Sequence, residues 1–93
     1  MDPVNVPIER ELDLHSFAAR DVASVVEEYV NAAVQAGISE VRIVHGRGRG
    51  VQRGIVQAVL ERHLLVERFW DDTDARLGAT IAVLKGGSRK SEV

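Results

Sequence analysis

Apolar and polar positions change rhythm several times along this chain, and each change marks an element. From Glu9 to Leu14 they alternate, with Leu12 and Leu14 apolar and Glu11 and Asp13 polar, the two-residue period of a half-buried strand. From about Ala19 to Ala36 the step lengthens to three and four. Val22, Val25, Val26, Tyr29, Val30 and Ala33 form one apolar helical stripe. Gly37 is placed to cap that helix, with Ile38 as the hydrophobic residue just past it. A second strand is predicted over Glu40 to His45 and a loop over Gly46 to Gly50. A second helix follows from about Val51 to His63, with Ile55, Val56, Val59 and Leu60 inward. Val66 to Trp70 reads as a third strand, Asp71 to Gly78 as a polar turn, and Ala79 to Leu84 as a short apolar fourth strand. The order β-α-β-α-β-β predicts an α/β fold, a two-layer sandwich. Both helices should cross over with right-handed connections and cover one face of a mixed four-stranded sheet, leaving the other face less covered.

Length and composition narrow the reading. The 93 residues suffice for one domain and not for two, and a domain this small buries only a modest share of its surface. The expected organisation is a loose N-terminal arm over residues 1–7, which holds both prolines, a folded unit over 8–85, and a small, polar C-terminal tail over 86–93. With 45% hydrophobic and 28% charged residues the chain should fold rather than remain disordered. It has no cysteine, which excludes disulfides and thiolate metal sites and fits a reducing cytosol, so a cytoplasmic location is expected. No apolar run reaches membrane-spanning length and no secretion-signal pattern opens the chain, so no membrane partner is expected. The expected state is a monomer or weak homodimer.

The net charge of -2 argues weakly against a polyanionic partner, but its distribution argues the other way. Between Val41 and Leu60 there is no acidic residue, whereas Arg42, Arg47, Arg49 and Arg53 all fall there. The acids crowd elsewhere, at Glu27, Glu28, Asp71, Asp72 and Asp74. Local field rather than net charge decides where a polyanion lands.

Two motifs carry candidate chemistry. In Leu12-Asp13-Leu14-His15, strand alternation puts Asp13 and His15 on one face and the leucines toward the core. A carboxylate beside an imidazole can raise its basicity and orient its ring, which makes an acid-base pair. The same two residues could ligate a divalent ion such as Mg, or simply form a solvent-facing strand edge. The second motif, His45-Gly46-Arg47-Gly48-Arg49-Gly50, leaves a strand and opens a helix. Alternating glycines let the backbone approach a ligand and turn several N–H groups toward it, and the helix N-terminus adds positive potential. Arg47 and Arg49 supply planar, bidentate phosphate donors, and Arg53, about one turn into the helix, could reach back. His45, at the strand end, could donate to a phosphate oxygen or shuttle a proton. The loop is not the dinucleotide fingerprint, whose third glycine would fall at Val51, and no Gly-Lys-Ser/Thr follows to make a Walker loop.

Together the two motifs resemble the Smr (small MutS-related) domain, whose first strand carries Leu-Asp-Leu-His-Gly and whose second ends in His-Gly-Lys-Gly-x-Gly. They stand here as LDLHS at Leu12–Ser16 and HGRGRG at His45–Gly50, with a late family stretch at Gly78-Ala79-Thr80-Ile81. The resemblance runs from about Glu9 to Lys85. It implies a βαβαββ fold similar to the C-terminal domain of translation initiation factor three, with the fourth strand antiparallel to the rest. It also implies an endonuclease cleaving or nicking RNA or DNA, or else a non-catalytic module that binds nucleic acid or a ribosome. The functional positions it implies are Asp13 and His15, then His45, Gly46, Arg47 and Gly48. Ser16 stands where the family has glycine, Arg47 where it has lysine, and the glycines before Ala79 are reduced to Gly78.

The remaining signals are weaker. His63 reads as a helix-end residue, where a cation favours the dipole. Of the adjacent Phe69 and Trp70, strand alternation turns one outward, either to stack on a base or to pack under a terminus or at a dimer contact. A third reading of the basic loop is a site for an acidic protein partner or a small phosphorylated ligand.

Overall fold

The stripe Val22, Val26, Val30 and Ala33 is wholly buried in the computed structural model, which describes residues 8–46, 50–76 and 78–85. These residues lie on one face of helix α1 (Ala19–Gln35), and Asp21 sits in its first turn, where a negative charge favours the helix dipole. The helix ends in two crossed bonds: Gly37 N–H donates to the Val34 carbonyl and Ile38 N–H to that of Ala33. Ile38 is buried directly behind this cap, as the sequence predicted.

Helix α2 (Val51–Arg62) buries Val56, Val59 and Leu60 and packs against α1. The strands are β1 (Glu11–Asp13), β2 (Glu40–Val44), β3 (Val66–Asp71) and β4 (Ala79–Leu84), with a turn of 3-10 helix at Thr73–Ala75. They form one sheet in the order β1-β2-β4-β3. β1 is parallel to β2, and β4 is antiparallel to both β2 and β3. The α/β reading and the antiparallel fourth strand are therefore both present. The expected arm (1–7) and tail (86–93) lie outside the described residues.

Register sorts the side chains onto two faces. Leu12 faces with Ile43, and Val41 and Ile43 pair with Ala82 and Thr80. This face is sealed by both helices, and Val41, Ile43, Thr80, Ala82 and Leu84 are buried there. The alternate residues Arg42, Val44, Ile81 and Val83 are only half-buried. Among the described residues no element covers that second face.

α1 and β2 each stop one residue early, at Gln35 and Val44, and three further elements differ from expectation for local reasons. β1 is shorter than Glu9 to Leu14. The Glu9 carbonyl bonds the Tyr29 hydroxyl at one end, and a turn from Leu14 to Phe17 closes the other. α2 stops at Arg62 because His63 turns to an extended conformation. β3 runs on to Asp71, with an irregularity between Val66 and Arg68 that sets Glu67 out of register.

Candidate functional site

The turn after β1 fixes the first motif. The Asp13 carboxylate oxygen Oδ1 accepts the His15 backbone N–H at 3.0 Å and contacts the ring Nδ1, also at 3.0 Å. This is an Asx-type turn, in which a short acidic side chain grips the backbone two residues on. Strand alternation alone therefore does not bring the pair together; the local hydrogen bonds do. The carboxylate accepts, so Nδ1 carries a proton and donates in either charge state, and in the neutral ring this leaves Nε2 with its lone pair. The His15 side chain is 82% exposed and that of Asp13 is 52% exposed. The His15 backbone bond, the His15 ring bond and the nearby ring charge hold the Asp13 carboxyl below the usual carboxylate range against a small opposing effect of burial. Asp13 therefore stays charged at neutral pH and orients the ring.

β2 delivers the second motif beside the first. Asp13 registers with Val44, and Leu14 N–H donates to the Val44 carbonyl at 2.9 Å, so His15 and the root of the glycine loop leave neighbouring strand ends. His45 and Gly46 both donate backbone N–H groups to the Gly78 carbonyl, at 3.0 and 2.9 Å, which anchors the loop to the start of β4. Gly46 (φ 83°) and Gly50 (φ 81°) both take left-handed backbone, a conformation that side-chain-bearing residues resist, and so bend the chain out of β2 and into α2. Arg47, Gly48 and Arg49, expected to grip phosphate, lie outside the described residues.

His45 does not face outward. It is only 7% exposed and shares the helix-covered face with Val41 and Ile43. Its Nδ1 lies 3.1 Å from the Gly46 carbonyl and its Nε2 lies 2.9 Å from the Thr80 hydroxyl. A neutral ring with its proton on Nδ1 satisfies both contacts, because the carbonyl can only accept and the hydroxyl can donate to Nε2. Gln57 Nε2 donates to the same Thr80 oxygen at 3.1 Å and to Asp71 Oδ1 at 3.0 Å. The hydrogen bonds thus run from Gln57 through Thr80 and His45 to the first carbonyl of the loop. Burial pushes the His45 pKa down; Arg53 adds to this, and the Gly46 carbonyl and Asp71 oppose it. The expected role of proton donor to a phosphate does not match a ring held in this way.

Arg53 corrects a second expectation. Its Nε and Nη2 bind the two Asp71 carboxylate oxygens, each at 2.8 Å, as a bidentate pair. Arg42 is likewise held, by Asp72 at 2.6 Å and Glu11 at 3.1 Å. The acid-free stretch read in the sequence is therefore not acid-free in space. Asp71 and Asp72 fold back onto two of its four arginines, and these contacts lower both carboxyl pKa values. Gln57, Thr80 and Asp71 were not read as site residues. The signal for Thr80 was available as the lone hydroxyl in an otherwise apolar strand. His63 caps α2, but as an acceptor: its Nδ1 takes the Leu65 N–H at 3.0 Å.

Two results follow from this network. Thr80→Val removes the hydroxyl that satisfies both His45 and Gln57. It should cost about 1–3 kcal/mol in chemical denaturation and speed exchange of the Gly46 amide, with Thr80→Ser close to wild type. Acidification should also destabilise the fold. The folded-state His45 pKa is depressed, so its stabilising effect is complete above the ordinary histidine value of about 6.5 and is lost as pH falls below it. The Asp71 contribution has the same sign but is lost only in the acid carboxylate range. A urea midpoint lower at pH 5 than at pH 7.5 is the expected observation; an equal or higher one would contradict it.

A two-layer α/β domain with an exposed Asp-His pair and a glycine loop at adjoining strand ends defines the class. A family model, the Smr domain, matches residues 12–85, and the chain belongs to that family. It is 38% identical over 80 residues to Endonuclease MutS2 of Geobacillus kaustophilus and 34% identical over 80 residues to that of Caldicellulosiruptor bescii. Each match covers 84% of this chain and 10% of the relative, so the chain spans about a tenth of those proteins. The crystal structure of the Smr domain of Thermus thermophilus MutS2 superimposes with a TM-score of 0.77 at 28% identity, covering 83% of this chain and 99% of that one. YdaL, a stand-alone small MutS-related protein from Escherichia coli, shares the fold at a TM-score of 0.75 and 20% identity, covering 91% of this chain and 71% of the other.

Proposed function

We propose that this Smr domain binds nucleic acid and cuts its phosphodiester backbone, with Asp13 and His15 performing the proton transfer. The observation that carries this reading is the ring held by Asp13 through Nδ1, with Nε2 on the solvent side. In this reading Nε2 takes the proton from an attacking hydroxyl while the new P–O bond forms and the leaving P–O bond breaks, and the departing oxygen takes its proton from solvent. The Asp13 charge stabilises the imidazolium that results. Arg47, Arg49 and the amides of Gly48 and Gly50 hold the phosphate, Gly46 bends the chain out of β2 to start the loop, His45 is fixed against the Gly46 carbonyl, and Arg53, paired with Asp71, anchors the start of α2. The relatives named as endonucleases support the reaction class.

Among the described residues at this strand end, Asp13 and His15 carry donors that a divalent ion could use. Among the described residues no group of three or more His, Cys, Asp or Glu side chains converges to hold one. No helix among the described residues is long and apolar enough to cross a membrane, and the cytoplasm is the proposed location.

One observation favours a second reading, a non-catalytic module for nucleic acid or a ribosome. With His45 buried, no second histidine near the pair is placed to protonate a leaving oxygen. Incubation with labelled RNA and DNA, followed by analysis of the product ends, decides between the readings. A 2′,3′-cyclic phosphate would show attack by the RNA's own hydroxyl, and a 5′-phosphate attack by water. Tight binding with no product under any condition would establish the second reading.

A further inference from the structure

The chain has four aromatic side chains, and the fold treats them unequally. Tyr29 and Phe69 pack against the core. Trp70 is 42% exposed and Phe17 is 38% exposed. Phe17 lies in the turn that carries His15, its N–H bonded to the Leu14 carbonyl. Trp70 lies on β3, where register pairs it with Ile81, Ile81 with Arg42, and Arg42 with Glu11. That row crosses the uncovered sheet face, two residues along β1 from Asp13. Three strand spacings of about 4.8 Å separate β3 from β1, or roughly 14 Å.

Leaving the largest ring of a small domain on an open face forfeits burial that this chain could use. The ring is also held ready: the Arg68 guanidinium lies 5.6 Å from its centroid, on the same strand and the same face. Half-buried Val44, Ile81 and Val83 make the floor beside it. The face carries both signs, with Arg42 tied to Glu11 and Asp72. An occupant is therefore recognised there by ring surface rather than by charge. Unpaired bases have that chemistry, since each presents a π-face whatever its sequence. Bases inside a duplex do not, because their faces are already stacked.

We propose that this open sheet face is a stacking platform for unpaired nucleotides, with Trp70 holding a base a few nucleotides from the bond cut at Asp13 and His15. The inference rests on the nucleic-acid reading above and adds a substrate class: RNA or DNA with a single-stranded stretch beside the cut. Because stacking is not ionic, the contribution of Trp70 is insensitive to salt, whereas the loop's phosphate contacts weaken steeply with it.

Trp70 is the sole tryptophan, so its emission reports on the platform directly. The full chain is titrated with a short oligo-uridylate, a short oligo-thymidylate and a blunt duplex, at two salt concentrations, beside Trp70→Ala and Trp70→Phe. Single strands should quench the emission and the duplex should not. Trp70→Ala should weaken single-strand binding roughly 5- to 150-fold at both salt concentrations, and Trp70→Phe should keep most of the affinity. Single-strand binding with unchanged emission and an unaffected Trp70→Ala, or equal quenching by the duplex, would overturn the platform and leave the nucleic-acid reading standing. Failure of the wild-type chain to bind any of the three would overturn both.

Discussion

Replacing His15 with alanine should slow strand scission by about 10²- to 10⁴-fold, the usual share of a positioned acid or base, while substrate affinity changes little. The ring contributes little buried surface, since its side chain is 82% exposed, so the fold should survive. Asp13→Asn should act on the same step but less severely. The amide oxygen can still accept the His15 backbone N–H and keep the turn. What it loses is the charge that favours the protonated ring. Rates measured at saturating substrate, with melting temperature as the control for folding, check both variants. Scission unchanged in both would remove the dyad from the mechanism.

The second large effect is expected from Leu14, which separates the two members of that dyad. It is fully buried and points into the helix-covered core, so it fixes where β1 ends and the His15 turn begins. Leu14→Ala should cost about 2–5 kcal/mol, from lost transfer free energy and the cavity left behind. Small domains commonly have only about 5–15 kcal/mol of total stability, so this single change should markedly lower the urea midpoint. Activity should fall with it even below the transition, because the buried Leu14 side chain anchors the end of β1, where the N–H bond of residue 14 to Val44 holds the dyad beside the loop. An unaltered midpoint would mean that the end of β1 is not part of the cooperative core.

The alternating and helical periods made the element order and the apolar stripe of α1 readable from the sequence. The two motifs made the family readable. The charge distribution is less legible, because neighbours in sequence are not always neighbours in space. Asp71 stands 18 residues from Arg53, and Asp72 stands 30 from Arg42; the packing of α2 on β3 joins the first pair and the sheet the second. For the burial of His45, by contrast, local alternation is enough. It falls on the same side of β2 as Val41 and Ile43, and that side is buried. A motif histidine at a strand end invites a catalytic role, yet the period of the strand turns it toward Thr80. The contact between Asp13 and His15 was anticipated as a shared face, but it depends on a turn that no apolar pattern encodes.

The proposed activity requires two chain segments to present one surface: the turn carrying His15 and the roots of the glycine loop at Gly46 and Gly50. An amide-resolved NMR titration of the full chain with a short oligonucleotide tests this most directly. The expected result is concerted movement of the His15, Gly46 and Gly50 signals, saturating at one ligand concentration, together with the Nε2-adjacent ring signal of His15. Shifts confined to the far end of the molecule, around Leu64 and Lys85, or shifts at the loop that leave His15 unmoved, would contradict it.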